Sequence, residues 1–423
     1  MLKRMRSFLV LVMLFIAVTM SAQVTTATMS GKVTAQDEPI IGATVVAVHE
    51  PSGTRYGTVT NVSGQFNLQG MRTGGPYKVE ISYVGYQTAI YKGINLLLGE
   101  NYVLNVSLKE SSELLDEVVV TASKESNMKS DRAGAVTNLT SAKIASIPTV
   151  SRSMNDIMRL SPQSNTTSNG FAAGGGNYRQ SFVTVDGASF NNAFGIGSNL
   201  PAGGAPISLD ALEQLSVSIT PYDVRQSGFT GAAINAVTKS GTNGLTGSAY
   251  TFLTNNNLIG DRVGDGSIEL EKSHQYTYGA TLGGAIIKNK LFFFVNGEYE
   301  DDLTAGPVAR ARNNDGEKYG ENGIHRPVAS KMDEIRDYLI NTYDYDPGVY
   351  QGYNVKVPSY KFLARVDWNI NENNKVNVRF SKTNNRYDAS PSSSVNPMDA
   401  TTIFPGGGAI SKGKGASSDE GLY

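Results

Sequence analysis

The sequence contains no cysteine, and its 423 residues include only three histidines and one tryptophan. Without cysteine, the protein has neither disulfides nor thiolate metal ligands, so its stability must come from buried surface. The formal net charge of −1 gives no electrostatic footprint for binding nucleic acid. No stretch approaches the ~18 consecutive apolar residues of a membrane-spanning helix.

The N-terminus has the pattern of an export signal. Basic residues precede an uninterrupted apolar stretch over residues 8–18, and Ser21-Ala22 offers a small-residue cleavage site. We therefore predict a signal peptide over residues 1–22. The composition, with 45 glycines and 21 tyrosines, suits either a soluble β-protein or an outer-membrane barrel.

Residues 24–110 have the pattern of a small β-domain. Strand candidates recur at 30–34, 42–49, 56–60, 65–69, 77–83, 87–94 and 101–108, with turn residues between them. Tyr77, Val79 and Ile81 alternate with polar residues, as one buried face of a strand requires. Seven short strands in a segment of this length predict a two-sheet sandwich.

This segment resembles the carboxypeptidase-regulatory-like domains. The matching blocks are Ser30-Gly31-Lys32-Val33, Pro39-Ile40-Ile41-Gly42-Ala43-Thr44-Val45, Gly57-Thr58-Val59-Thr60-Asn61, Gly64-Gln65-Phe66 and Tyr83-Val84-Gly85-Tyr86. The resemblance implies a transthyretin-like β-sandwich of the carbohydrate-binding-like class, without implying peptidase activity. Asn61 stands where the family usually has aspartate.

A short, strongly β-forming run follows the sandwich within residues 113–123. It consists of Asp116, Glu117, Val118, Val119, Val120, Thr121 and Ala122. Such a strand on a tether is a template for the sheet edge of another protein, the recognition mode called β-augmentation. The alternative is that residues 113–122 form the last strand of the sandwich.

Residues 128–243 are rich in small polar residues and mix short helices with short strands. Ser151 or Ser153 is expected to cap a helix that ends at Leu160, and Ser208 a short helix over residues 209–215. Four blocks resemble the plug domain of TonB-dependent outer-membrane transporters: Ile147-Pro148-Thr149, Thr184-Val185-Asp186-Gly187, Leu212-Glu213-Gln214-Leu215 and Ile234-Asn235-Ala236-Val237-Thr238-Lys239-Ser240-Gly241. The resemblance is strongest to the Oar-like branch, which is related to the SusC-like receptors.

The plug resemblance implies a role for the run at Asp116–Ala122. These residues stand where the family has its TonB box, the strand that the periplasmic protein TonB captures. The implied partners are TonB with ExbB and ExbD, outer-membrane lipid and, in the SusC-like mode, a surface lipoprotein. The expected fold is therefore mainly β: a transthyretin-like β-sandwich, an α+β plug and the first strands of a transmembrane β-barrel.

The segment 245–423 contains long strands with alternating character. In the strand around Val366, apolar residues face one way, while Lys361, Arg365 and Asp367 face the other. The connections are short at 288–290 and 371–374 but very long at 302–358, as expected for periplasmic turns and extracellular loops. Five strands by residue 385 do not close a plugged barrel, so the sequence is expected to be the N-terminal part of a longer protein.

No constellation for catalysis stands out, and we predict neither an enzyme nor a cofactor or metal site. The histidines His49, His274 and His325 lie far apart, and residues 408–415 lack the Ser or Thr of a P-loop. The pairs at 301–302 and 344–346 lack the ligand density of a calcium loop.

The predicted function is TonB-dependent import of a nutrient across an outer membrane. The resemblance suggests an oligosaccharide, a peptide or a similar nutrient, and the sequence does not identify which. Two alternatives remain open: an outer-membrane adhesion or structural barrel without transport, and an exported protein whose sandwich binds carbohydrate.

Overall fold

The computed structural model describes residues 24–110, 118–121, 136–149, 152–167, 170–191, 200, 205–219, 231–264, 266–267, 272–305, 310–319, 324–351, 354–372 and 374–385. The predicted signal peptide and the tail after residue 385 lie outside the described residues. The described chain divides into two compact units. The first takes in residues up to 247 together with 282–295 and 364–379, and the second takes in 248–281, 296–363 and the residues from 380 onward.

The N-terminal segment is a sandwich of two five-stranded sheets. One sheet has the order β2-β1-β5, with β8 and β9 also paired to β1, and the other has the order β10-β7-β6-β3-β4. The strands are β1 (Ala27–Ala35), β2 (Glu38–Pro39), β3 (Thr44–His49), β4 (Thr54–Val59), β5 (Gln65–Met71), β6 (Gly74–Ser82), β7 (Ala89–Leu96), β8 (Asn101–Val103), β9 (Val106–Ser107) and β10 (Val118–Thr121). All seven predicted strands are present, and the last one is divided into β8 and β9.

The core of the sandwich follows from strict alternation along its strands. Tyr77, Val79 and Ile81 of β6 are fully buried, while the residues between them lie nearer the surface. Gly31 of β1 allows a close approach of the backbone, because a Cβ built there would lie on the carbonyl oxygen of Leu104. The predicted sandwich fold is confirmed.

The plug segment is built around one mixed sheet with the order β11-β16-β17-β14-β15. Its elements are β11 (Val136–Thr140), α1 (Ser141–Ser146), α2 (Met154–Met158), β12 (Ser164–Thr167), β13 (Gly170–Ala173), a 3₁₀ turn (Tyr178–Gln180), β14 (Phe182–Val185), β15 (Ala188–Ser189), a second 3₁₀ turn (Leu209–Ala211), β16 (Leu212–Ser218) and β17 (Ala233–Thr238). Strand β17 is buried along its whole length and β16 at every residue except Glu213, which makes them the centre of this sheet.

Two helix predictions in the plug are resolved by the structure. Ser153, and not Ser151, caps α2, because its hydroxyl accepts the amide N–H of Asp156. The predicted helix over residues 209–215 is wrong beyond its first turn. Ser208 does cap a 3₁₀ turn, but the chain enters β16 at Leu212, since its following residues pair with both neighbouring strands.

The C-terminal described segment contains a five-stranded sheet in the order β18-β21-β22-β25-β26. The elements of this segment are β18 (Thr246–Asn255), a 3₁₀ turn (Asn256–Leu258), β19 (Arg262–Val263), β20 (Gly266–Ser267), β21 (His274–Ile287), β22 (Leu291–Ala305), β23 (Arg310–Arg312), β24 (Ile324–Val328), α3 (Ala329–Tyr343), β25 (Asn354–Asn369) and β26 (Lys375–Asn385). The five long strands expected before residue 385 are confirmed. The long connection between β22 and β25 also has structure of its own: a small parallel pair, β23 and β24, and the helix α3.

Burial along β25 is the reverse of that in a soluble strand. The aromatic residues Tyr360, Phe362 and Trp368 are exposed, whereas the charged residues Arg365 and Asp367 are buried. Trp368 exposes 49% of its surface and Arg365 exposes 6%. Apolar residues outside and polar residues inside are the pattern of a transmembrane barrel strand, as the sequence predicts.

Among the residues that the structure describes, no helix has the length and apolar character needed to cross a bilayer.

Candidate functional site

The predicted TonB-binding segment is described at its four central residues, Val118–Thr121. As β10, they pair in parallel with β7, and Val118 lies opposite Ala89 and Thr121 opposite Lys92. Asp116, Glu117 and Ala122 lie outside the described residues. The sequence favoured an unpaired strand on a tether, and the structure corrects this: the four described residues form a last strand of the sandwich, paired with β7.

The other end of β7 is held by a plug residue. The amide of Gln214 donates to the carbonyl oxygen of Leu96 over 3.0 Å, and its carbonyl oxygen accepts the N–H of Leu98 over 2.8 Å. Gln214 is buried, and both of its bonds complete backbone groups at the end of a strand, which would otherwise be buried without partners. One side chain thus joins the sandwich to the plug.

An aspartate at a tight turn organises the plug side of the first unit. Asp186 ends β14 with a left-handed backbone (φ 53°), and Gly187 follows it with a positive φ as well. The carboxylate accepts the N–H of Thr238 over 3.0 Å and the hydroxyl of the same residue over 2.5 Å. This aspartate belongs to the Thr184-Val185-Asp186-Gly187 block, which the sequence identified as plug-like.

Two arginines from the long strands converge on Asp186. Arg379 lies 3.3 Å from its carboxylate and donates to its carbonyl oxygen over 3.0 Å, and Arg365 lies 3.9 Å from the carboxylate. Arg365 also donates to the carbonyl oxygen of Thr238 over 2.6 Å. The plug is therefore tied to β25 and β26 by charge-assisted hydrogen bonds, which are stronger than neutral ones.

The ion cluster continues into the sandwich. Arg365 binds Asp367 of its own strand with two parallel bonds of 2.8 Å, and Arg72 of the sandwich lies 3.3 Å from the same carboxylate. A cavity of about 200 Å³ adjoins these residues, and Glu213 of the plug also lines it. Burial raises the pKa of Glu213, while the cations Lys239, Arg72 and Arg365 act to lower it.

A second set of contacts joins the sandwich to the turn between β25 and β26. The ammonium of Lys375 lies 3.3 Å from the ring centre of Tyr56, a cation–π contact, and donates to the carbonyl oxygen of Arg55. The amide of Asn369 donates to the hydroxyl of Thr54 over 3.0 Å. Within the first unit, the sandwich is thus held by both the plug and the strand ends.

The second unit has a buried ion pair of its own. Lys361 of β25 donates to Glu298 over 2.9 Å and to Glu300 over 3.0 Å, and the hydroxyl of Tyr250 donates to Glu298 over 2.8 Å. The side chains of Lys361 and Glu298 are each 4% exposed. This network lies on the polar face of the sheet and keeps its charges paired.

The three histidines do not meet. His49 lies in the sandwich, where its Nδ1 bonds the hydroxyl of Ser52 and burial lowers its pKa to about 3. His274 lies 3.5 Å from the carboxylate of Asp301, and His325 is buried in β24. No group of three potential metal ligands occurs within the part of the chain that the structure describes.

The only site predicted from the sequence was the run Asp116–Ala122, so the charged residues of the two ion-pair clusters were not predicted as site residues. The sequence placed Lys361, Arg365 and Asp367 on one strand face without assigning them a role, and their signal was charge at alternate positions of an otherwise apolar strand. Arg379 had the same signal, since it stands between Val378 and Phe380, whereas Arg72 had none and its partner Asp367 is distant in sequence.

Comparisons with known proteins agree with this layout. A family model for a carboxypeptidase regulatory-like domain matches residues 28–109, and one for an outer membrane beta barrel domain matches residues 237–415. The chain is 25% identical over 261 residues to the TonB-dependent transporter Oar of Myxococcus xanthus, an alignment that covers 58% of this chain and 22% of that protein. The chain thus spans about a fifth of the length of this relative.

Solved structures with similarity to the chain include two outer-membrane proteins. The siderophore receptor PirA of Acinetobacter baumannii is 18% identical, with a TM-score of 0.41, covering 60% of this chain and 32% of that one. The outer membrane transporter YddB of Escherichia coli is 13% identical, with a TM-score of 0.43, covering 60% of this chain and 33% of that one. Both TM-scores are low, so these two structures add nothing to the similarities with the two domain families and with the Oar transporter.

Proposed function

Because the chain joins a carboxypeptidase regulatory-like domain to an outer membrane beta barrel domain and resembles a TonB-dependent transporter, we propose that it is a TonB-dependent outer-membrane receptor that imports a nutrient. In this proposal, the signal peptide over residues 1–22 directs export, and the long strands lie in the outer membrane. The transported compound is an oligosaccharide, a peptide or a similar molecule that is too large for simple pores.

The observation that carries the membrane part of the proposal is the reversed burial along the long strands. A soluble strand that exposed Tyr360, Phe362, Val366 and Trp368 on one face would be an aggregation hazard. Lipid removes that hazard, while the charged residues on the other face are satisfied within the protein, as with Lys361 and its two glutamates.

The energy-coupling part rests on the run from Asp116 to Ala122. In the proposal, TonB, powered through ExbB and ExbD, takes up this run as an added strand and transmits a pull to the plug. The ion cluster at Asp186 and the bonds of Gln214 are then among the contacts that such a pull has to strain, because they tie the plug to its surroundings. A surface lipoprotein would be a further partner in the SusC-like mode.

The test of TonB binding is a substitution in the centre of the run. Val119→Pro should abolish binding of the full chain to a purified TonB C-terminal domain, since proline removes a ladder N–H and restricts φ. Val119→Thr is the matched control, because it keeps the N–H and the β-branched shape and should bind like the wild type. Undiminished binding of the proline variant in a pull-down would show that this strand is not the contact.

Energy-dependent uptake separates transport from the adhesion alternative. Cells that carry the Val119→Pro variant should place the protein in the outer membrane at normal levels and lose uptake of the nutrient. Retained uptake would show that transport does not depend on this strand, whereas a wild-type protein without any uptake phenotype would favour a structural or adhesive barrel.

A further inference from the structure

The strand β7 is shared between two neighbours of different kinds. On one side it pairs with β6 in a long antiparallel ladder between Gly74 and Leu96, and on the other it pairs with β10, the proposed TonB-binding segment. The TonB-binding segment is therefore already part of a sheet, whereas capture by TonB would require it to become part of another.

The pairing between β10 and β7 is short. It comprises four residue pairs, from Val118–Ala89 to Thr121–Lys92, and it is parallel, the slightly weaker of the two kinds of ladder. The ladder with β6 is longer and forms part of a closed core, since Ile94 and Leu96 of β7 are buried. Of the two contacts of β7, the one with β10 is thus the shorter and is expected to be the weaker.

The chain on both sides of β10 is long enough for the segment to leave. Seven residues, 111–117, separate it from Glu110, which bridges to Tyr86, and 14 residues separate Thr121 from β11 at Val136. An extended chain of 14 residues reaches about 46 Å. Departure of β10 therefore requires no rearrangement of the sandwich or of the plug sheet.

The sandwich itself is anchored while the segment leaves. Gln214 holds the end of β7 through Leu96 and Leu98, and Arg72 binds Asp367. A vacated edge of β7 would remain in place, ready to take the segment back. With these contacts in place, β7 is expected to keep its position when β10 separates from it.

We propose that β7 is the resting dock of the TonB-binding segment, so that the sandwich and TonB compete for residues 118–121. The proposal rests on the proposed function, because it concerns the availability of the same segment. Docking lowers the apparent affinity for TonB by the fraction of molecules in which the segment is released. Any event that loosens the dock would raise that affinity without changing the segment.

The test introduces a pair of cysteines. Because the sequence has no cysteine of its own, the two introduced thiols can form a disulfide only with each other within the chain. Tyr91 and Val120 are register partners in the full chain, and neighbouring strands lie about 4.8 Å apart, within the Cα range of a disulfide. In the Tyr91→Cys/Val120→Cys variant, oxidation should close a disulfide and weaken binding to a TonB C-terminal domain at least tenfold. Reductant should restore the binding of the same sample.

The matched control is a lock elsewhere in the same sheet. Thr44 and Val59 are exposed register partners on β3 and β4, and the Thr44→Cys/Val59→Cys variant should bind TonB equally well when oxidised and when reduced. If this pair closes under oxidation and the Tyr91–Val120 pair does not, the segment is not docked on β7 and the proposal is overturned.

The remaining outcomes separate this proposal from the proposed function. If the oxidised Tyr91–Val120 variant binds TonB as tightly as its reduced form, TonB adds to the docked strand or binds elsewhere, and competition is wrong. If Val119→Pro still abolishes binding in that case, the TonB-binding role of the segment stands. If the wild-type chain does not bind TonB at all, both proposals fall.

Discussion

In both the sandwich and the sheet of long strands, apolar and polar side chains alternate with a period of two residues. The sandwich buries its apolar face, whereas the sheet of long strands buries its polar face. In β6, the buried residues are Tyr77, Val79 and Ile81, while in β25 they include Arg365 and Asp367. The alternation shows that each segment is a strand, since successive side chains point to opposite faces. Which face is dry depends on what surrounds the sheet, and in β25 the exposed face is the apolar one.

The two regions also treat buried polar groups differently. The sandwich buries His49, whose pKa of about 3 keeps it neutral, next to the hydroxyls of Ser52 and Thr54. The long strands bury charges and pair them, as Lys361 does with Glu298. Removal of one partner should therefore be far more damaging in the long strands, because it leaves an uncompensated charge.

The largest effect is expected from the buried ion pair. Lys361→Met leaves Glu298 and Glu300 without their cation and should destabilise the folded sheet by about 3–5 kcal/mol. Lys356 of the same strand pairs with Asp301 at 3.3 Å but is mostly exposed, so Lys356→Met should change stability by less than about 1 kcal/mol.

Urea unfolding in detergent micelles, read by the fluorescence of the single tryptophan, Trp368 of β25, measures both lysine variants. Equal effects of the two substitutions would mean that Lys361 is not a buried charge, and the contrast between the regions would then lose its main support.

The second test compares two equally exposed valines. Val59 of the sandwich is 61% exposed and Val378 of β26 is 63% exposed. Val378→Arg should destabilise the protein by up to about 2–4 kcal/mol, the cost at the bilayer midplane, and reduce its outer-membrane assembly, because arginine would face hydrocarbon. Val59→Arg should remain within about 0.5 kcal/mol of the wild type.

Membrane fractionation of cells that express each valine variant provides the measurement. Normal assembly of Val378→Arg would show that this face meets water and would remove the distinction between the two sheets.

The third test concerns acid and the single histidine of residues 24–110, a fragment that we expect to fold alone because its two sheets enclose one core. An unfolded His49 titrates near 6.5 and a folded one near 3, so on acidification between these values only the unfolded state gains the proton. Stability should fall as the pH falls, by up to about 2 kcal/mol at pH 5 relative to pH 8 if the fragment keeps the burial that His49 has in the whole chain.

The His49→Gln variant should lack this part of the pH dependence, whatever its stability at pH 8. Chemical unfolding at both pH values, with an NMR titration of the one histidine ring, provides the measurement. A ring that titrates near 6.5 in the folded fragment would contradict the buried neutral state.

The smallest effect is expected from a glycine that makes room for an aromatic ring. A Cβ built on Gly279 would lie 2.2 Å from the ring of Tyr250, so Gly279→Ala should displace this ring and its bond to Glu298, at about 1–2 kcal/mol. Gly297, on the neighbouring strand, has open space at its Cβ position. Gly297→Ala should be neutral or slightly stabilising, and equal loss from both variants in the same micelle assay would refute the steric explanation.

Local patterns predicted the elements better than the contacts between them. The alternation around Val366 predicted the faces of β25, and turn residues predicted the strands of the sandwich. The pattern over residues 209–215 misled, because Leu212 and Leu215 fit a helical face as well as the fully buried strand that they form. The run at Val118–Val120 was expected to be unpaired, yet it pairs with β7, because a strand sequence does not specify its neighbour.

The ion cluster was beyond prediction for a different reason. Asp186 and Arg379 stand 193 residues apart, and only the folded arrangement of the plug and the strands brings them to 3.3 Å. The Thr184–Gly187 block predicted the turn through its resemblance to a family. The cations that contact Asp186, Arg365 and Arg379, are far from it in the sequence, so the sequence did not predict these contacts.

The bonds of Gln214 to Leu96 and Leu98 have a consequence for the conditions under which the sandwich stays in place. A glutamine amide carries no charge, so its two hydrogen bonds escape the screening by salt that weakens ion pairs at a protein surface. In the proposed location of the sandwich, the periplasm, ionic strength and acidity follow those of the medium outside the cell. The joint between sandwich and plug is therefore set by shape and hydrogen-bond direction, and it should hold equally in fresh water and in brine.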